Sequence, residues 1–126
     1  MLFFSFYFLD LVYINEPFPA ERYIIGKNNF REVFSTSPCI YCDDANLQLL
    51  QLVHEPGSDT VFVERHDQFL VDGKWIRIPI LGYLKVTKDA KVCYWKDYWN
   101  YQKYKQYVTK EFGPDFKLFR TQAKKN

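Results

Sequence analysis

Residues 60–86, "TVFVERHDQFLVDGKWIRIPILGYLKV", decide the fold. Two runs rich in β-branched and aromatic residues, 60–71 and 75–86, flank the short turn "DGK" at 72–74, and a third, "VCYWKDYW" at 92–99, follows the turn residues "TKDAK" at 87–91. Runs of this kind joined by short turns read as an antiparallel meander. Side chains alternate between faces along a strand, so Val63, Arg65, Asp67 and Phe69 share one face while Glu64, His66 and Gln68 share the other. If the first face is buried, Arg65 and Asp67 are charges set among apolar groups. Such a placement is costly unless the charges are paired and hydrogen-bonded.

Beyond the meander, "NYQKYKQYVTKEFG" at 100–113 sets Tyr101, Tyr104, Tyr107 and Val108 at helical spacing, with Gly113 and Pro114 as a stop. Before it, "LQLLQLVHE" at 47–55 fits helix or strand by pattern alone, and the closing Pro56-Gly57 favours a strand. "GKNNFREVF" at 26–34 reads as a helix entered after Gly26, with Phe30, Val33 and Phe34 at helical spacing, stopping near "STSP". "LVYINEPFP" at 11–19 reads as a strand ending at Asn15 or Glu16, preceded by a nearly continuous apolar run from Leu2 to Leu9. Helices gathered on one side of a curved antiparallel sheet make an α+β domain. The 126 residues form one such domain, with 114–126 expected as a loose tail.

Aromatic residues make up 20% of the chain, a globular composition rich in flat side chains. The net charge of +2 is small and its Lys and Arg are dispersed, which argues against a nucleic-acid surface. The opening "MLFFSFYFLDLVYI" is apolar, but Asp10 interrupts it and it falls short of the ~20 residues a spanning helix needs, so it reads as core rather than anchor. Three cysteines cannot all pair and no secretory signal is recognisable, which makes a reducing cytoplasm the expected setting. "CIYC" at 39–42 has metal or redox spacing without a second such pair, and reads as loop or helix-end filler. His54 and His66 are isolated, and His66 should face away from Arg65.

The two-residue rule applies equally to the other strands. Tyr13 and Asn15 share a face, as do Trp95, Asp97 and Trp99. Three strands thus each offer a short polar set among apolar neighbours. If these sets meet, two carboxylates in a low-dielectric site cannot both ionise comfortably, and an arginine between them stabilises one as the anion while the other keeps its proton. Tyr and Asn, with one carboxylate, suffice to hold a water molecule in a fixed orientation. A held water beside a base is a nucleophile in waiting, and the opposite acid can protonate an oxygen as it attacks.

These residues resemble the limonene-1,2-epoxide hydrolase family, within the nuclear-transport-factor-2-like (SnoaL-like) group, through "YINEP" at 13–17, "ERHD" at 64–67, "ILG" at 80–82 and "WKDYW" at 95–99. The resemblance runs over most of the chain, to about Gly113. It implies a cone-shaped antiparallel sheet, a cystatin-like α+β barrel, with helices closing an apolar pocket in a homodimer. It implies that Asp97 is the base, that Tyr13 and Asn15 hold the water, that Asp67 is the acid and that Arg65 bridges the two carboxylates. The chain departs from the family at Lys96, where Arg is usual, and at Asn100, where Asp is usual. Family members also normally carry a helix of several turns before the equivalent of "FFSFYFLD", so the resemblance leads one to expect part of the sheet uncovered.

The function expected from this reading is hydrolysis of a lipophilic epoxide to a vicinal diol by one-step attack of an activated water, with no cofactor and no metal. Trp95, Trp99, Phe69 and Leu81 are the expected substrate-binding residues. Two alternatives from other classes are a non-catalytic lipid- or small-molecule-binding module of the same fold, and a ketosteroid-isomerase-like isomerase. The isomerase leaves Arg65 and Asn15 without roles.

Overall fold

Asp72 and Gly73 both adopt positive φ, 49° and 76°, the conformation that a two-residue hairpin needs to match the twist of its strands. The turn sets Val71 opposite Lys74 and so fixes the register of the whole hairpin, Asp67 facing Ile78 and Arg65 facing Ile80. The computed structural model describes residues 7–16, 23–35 and 42–118, and the side chains of these except 7–9 and 33–35. Their order is β1 (Tyr7–Asn15), β2 (Ile24–Ile25), α1 (Lys27–Ser35), β3 (Asp44–His54), β4 (Thr60–Val71), β5 (Lys74–Val86), β6 (Val92–Tyr98) and α2 (Tyr101–Phe112).

The strands form one curved sheet in the order β2-β1-β6-β5-β4-β3. Strands β3 to β6 are the antiparallel meander expected from the sequence. The sheet is nonetheless mixed, because β1 runs parallel to β6 with Tyr13 beside Trp95 and Asn15 beside Asp97. A two-residue turn forces antiparallel neighbours, but the long connection from β1 to β6 leaves the direction free. The helices also fall where periodicity put them. Asn100 caps α2 by accepting from the Lys103 N–H at 2.9 Å, so the amide serves where the family usually has Asp.

One face of the sheet carries both the core and the charged residues. Phe69 and Val71 of β4 pack with Ile76, Ile78 and Ile80 of β5 beneath Val108 of α2 and Leu118. At the other end Leu11 and Tyr13 of β1 pack with Ile24 and with Phe30 of α1. Burial of these aliphatic and aromatic groups is the main force holding the helices to the sheet. Leu118 is fully buried, so the chain does not become a loose tail at Pro114 but stays packed to at least that residue. Residues 119–126 lie outside the described ones, as do the run 2–6, Pro17 and Cys39.

Cys42 is disulfide-bonded and packs against the first cluster, which corrects its reading as filler; Cys93 is free. Among the described residues no helix is long and apolar enough to cross a membrane, and no group of His, Cys, Asp and Glu is arranged to hold a metal ion.

Candidate active site

Between the two apolar clusters lies a set of polar side chains drawn from three strands. Arg65 and Asp97 are 6% and 2% exposed, the buried charged residues of the described chain. Strand β5 separates β4 from β6, so the two side chains must reach each other across it, and they do so over Gly82, which pairs with Asp97. A Cβ at position 82 would stand 3.2 Å from both Arg65 Nη1 and Asp97 Oδ1. A glycine therefore leaves the two room to join without displacement.

The pair is bidentate. Arg65 Nη1 donates to Asp97 Oδ1 and Nη2 to Asp97 Oδ2, both at 2.9 Å. On its other side Arg65 Nε donates to Asp67 Oδ1 at 2.9 Å, while Nη2 lies 3.4 Å from Asp67 Oδ2. The guanidinium thus bridges the two carboxylates with the fixed fork geometry that lysine lacks. Asp97 has two further donors, Trp95 Nε1 to Oδ1 at 2.8 Å and the Tyr13 hydroxyl to Oδ2 at 3.1 Å. Four donors on one carboxylate fill its acceptor positions and hold it as the anion. Asp67 has one short bond, on Oδ1, and one long bond, on Oδ2, so it is the less fully held carboxylate and the one on which a proton is accommodated more readily.

For Asp67 the electrostatics agree. Burial pushes the Asp67 carboxyl above its ordinary 3.8; the Arg65 charge and hydrogen bond oppose that, the Asp97 charge adds to it, and the net direction is up. Burial and the neighbouring Asp97 charge likewise push the Tyr13 hydroxyl well above 10, so it stays a neutral donor. Burial by itself pulls the Arg65 guanidinium down, but its bonds and proximity to Asp97 and Asp67 outweigh that and keep it charged.

Asn15 sits beside Asp97 on the neighbouring strand. Its Oδ1 accepts a short hydrogen bond from Trp99 Nε1, which turns its NH₂ group away from that ring. Tyr13 and Asn15 thus lie where the sequence put them, each with a protein partner.

The four expected substrate-binding residues fare differently. Trp99 borders the site through Asn15 and packs edge-on against Tyr101 and Tyr104. Trp95 lies on the expected face, but its polar edge is turned onto Asp97 and its ring is wedged against Tyr13 and Phe30. Phe69 is core. Leu81 is on the wrong face: it pairs with Glu64 and Tyr98, and is exposed on the outer side of the sheet. As expected His66 also faces outward, against Gln48. Lys96 pairs with Glu16 at 3.0 Å and lies over the Tyr98 ring.

Strand β3 supplies residues that sequence reasoning did not assign to the site. Leu47 stands opposite Asp67 and Leu49 opposite Arg65. The register shifts between Leu49 and Gln51, and this bulge brings Leu52 opposite Val63, onto the same face. Leu47 and Leu49 are 60% and 54% exposed, an apolar wall beside buried charge. The alternating leucines were the available signal, but the bulge that aligns the third was not.

No protein of curated function matches the sequence significantly. Among solved structures, a limonene-epoxide-hydrolase-like epoxide hydrolase from Mycobacterium tuberculosis superposes with a TM-score of 0.60 at 18% identity, covering 77% of this chain and 67% of that one. An isomerase-like protein from Bacillus subtilis gives 0.66 at 20% identity, covering 91% and 81%. A protein of ketosteroid-isomerase-like fold from Catenulispora acidiphila gives 0.65 at 12% identity, covering 82% and 76%. These likenesses establish the nuclear-transport-factor-2-like fold and reach no further. The model of the limonene-1,2-epoxide hydrolase catalytic domain matches residues 12–109, a stretch that spans every polar residue of the site, and the chain belongs to that family.

Proposed function

We propose that the protein is an epoxide hydrolase that opens a lipophilic epoxide to a vicinal diol in one step, with water as the nucleophile and no covalent intermediate. The observation that carries this reading is the unequal state of the two carboxylates on Arg65. Asp97 is held as an anion by its donors, and Asp67 is the one with room and tendency to keep a proton. One buried arginine therefore separates a base from an acid.

The reaction balances with these groups alone. Asp97 takes a proton from water, the water oxygen bonds to an epoxide carbon, the bond from that carbon to the ring oxygen breaks, and Asp67 gives its proton to the ring oxygen as it leaves. The diol leaves with Asp97 protonated and Asp67 ionised, and one proton passed between them through solvent restores the site. Asn15, its carbonyl oxygen tied to Trp99, offers its NH₂ to the water. Leu47, Leu49 and Leu52 offer an apolar wall to the rest of the substrate, which supports a terpene-, fatty-acid- or sterol-like epoxide. A second copy of the chain is the proposed partner, on the outer face where Val53, Phe62, Leu81 and Tyr98 are exposed.

Turnover of a panel of lipophilic epoxides by the wild type, Asp97→Asn and Asp67→Asn is the test. Diol formation that falls by two or more orders of magnitude in both folded variants supports the reading. Substantial activity in either removes it. A non-catalytic binding module is favoured by one feature, the complete set of protein partners on Asp97, and a folded wild type that binds hydrophobic ligands yet makes no diol would favour it.

A further inference from the structure

An anion whose acceptor positions are all filled cannot take a proton until one donor leaves, and the four donors on Asp97 are not equal. Oδ1 receives Arg65 Nη1 and Trp95 Nε1; Oδ2 receives Arg65 Nη2 and the Tyr13 hydroxyl. Arg65 is buried and tied by Nε to Asp67. The Trp95 indole is wedged edge-on against Tyr13, with ring centroids 5.4 Å apart, and against Phe30 at 6.0 Å, and the Arg65 guanidinium lies 5.7 Å from its centre. Its N–H has no rotor of its own and does not accept, so it can leave Asp97 only if the packed ring moves. The Tyr13 contact is the longest of the four at 3.1 Å, and a phenol O–H can swing about its C–O bond and accept as well as donate.

We infer that Trp95 is a positioning residue that closes Asp97 Oδ1, so that Oδ2 is the oxygen that takes the proton from water and Tyr13 is the donor that yields to let it. The inference rests on the hydrolase reading and deepens it. With Tyr13 swung aside, the water donates one hydrogen to Oδ2 and the other to the tyrosine oxygen, and accepts from the Asn15 amide. One lone pair is left for the epoxide carbon. The proton moves from water to Oδ2, and no other bond to the carboxylate changes.

The test removes the Trp95 N–H and keeps the aromatic volume, by Trp95→Phe and by placing 3-benzothienylalanine, an indole shape without the N–H, at position 95. Among the described residues, the charged and titratable groups facing Asp97 are Arg65 and Asp67 of β4 and Tyr13 of β1. Strand β5 presents Gly82 there, and α1 presents Phe30 to the adjoining rings. Loss of the Trp95 hydrogen bond changes the surroundings of the Asp97 carboxyl carbon and loosens the hold on Oδ1. The expected result is a ¹³C-carboxyl resonance of Asp97 displaced from its wild-type position, with kcat reduced about tenfold and KM unchanged. Folded variants whose carboxyl resonance and kcat both stay in place overturn the inference. The benzothienyl protein keeps the test decisive if Trp95→Phe unfolds. If the wild type hydrolyses no epoxide, the hydrolase reading falls while the carboxyl resonance still decides what Trp95 does to Asp97.

Discussion

Gly82→Ala is a one-carbon change at the crossing point of the site. Glycine inside a strand ordinarily costs roughly 0.5–1 kcal/mol relative to alanine, so a neutral surrounding would make this variant more stable. Here the new Cβ lies 3.2 Å from Arg65 Nη1 and from Asp97 Oδ1, and at an ordinary 3.5 Å from Leu84 Cδ1. The two polar neighbours must give by a few tenths of an ångström. Both are side-chain ends, but neither is loose, since Asp67 holds Arg65 and Trp95 and Tyr13 hold Asp97. Overpacking of this kind costs about 1–3 kcal/mol, which leaves a net loss of up to about 2.5 kcal/mol. For a domain of this size that lowers Tm by up to about 10 °C. Displacing a reacting group by about 1 Å costs on the order of 100-fold in rate, so a few tenths of an ångström should cost on the order of 10-fold in kcat. Differential scanning calorimetry and initial rates on one epoxide measure both. A Gly82→Ala protein with a raised Tm and unchanged kcat would refute the reasoning, because it would mean that Arg65 and Asp97 do not need the space above this glycine.

Other expectations rest on separate groups. Because the Asp67 carboxyl titrates higher in the folded chain than its ordinary 3.8, the native state holds more protons than the unfolded one above that pH, and stability falls as pH rises through the window up to the raised value. Asp67→Asn should flatten that slope in urea denaturation measured from pH 4 to 7; an unchanged slope would show that the carboxyl is not perturbed. Leu47→Ser and Leu49→Ser should raise KM for long-chain epoxides more than for short ones, with Tm changed little because both side chains are more than half exposed; equal effects on long and short substrates would remove the apolar wall from the binding model. Asn100→Ala removes the cap of α2 and should cost about 1 kcal/mol in chemical denaturation with kcat unchanged, whereas a change in kcat alone would give this residue a part in the site.

Much of this was legible because a strand's period of two is strict. From that rule alone Arg65 shares a face with Asp67, Trp95 with Asp97, and Tyr13 with Asn15; the structure joins Arg65, Asp67, Asp97, Trp95 and Tyr13 in one network and sets Asn15 beside Asp97 on the neighbouring strand, bonded to Trp99. That the three strands meet is a matter of strand order, which local pattern does not encode. Nor does it encode the parallel placing of β1 beside β6, set by a long connection rather than a turn. The role of Gly82 follows from β5 lying between β4 and β6. Leu81 was a different kind of miss. The two-residue turn at Asp72-Gly73 fixes it opposite Glu64, so its outward face was already implicit in the hairpin register. Trp95 was placed on the right face, but the direction of its N–H depends on packing against Tyr13 and Phe30 from two other elements. The buried end of the chain at Leu118 was hidden behind Gly113-Pro114, a sound helix stop that says nothing about what packs after it.

The decisive measurement is a single-turnover reaction in ¹⁸O-labelled water, with enzyme in excess over a lipophilic epoxide, analysed by mass spectrometry of both diol and protein. Direct attack by a water that Asp97 activates puts one labelled oxygen into the diol in the first turnover and none into the protein, and Asp97→Asn forms no diol. Unlabelled diol accompanied by label in an enzyme carboxylate would mean that a side chain, not water, attacks the epoxide, and the one-step mechanism built on Arg65, Asp67 and Asp97 would be wrong.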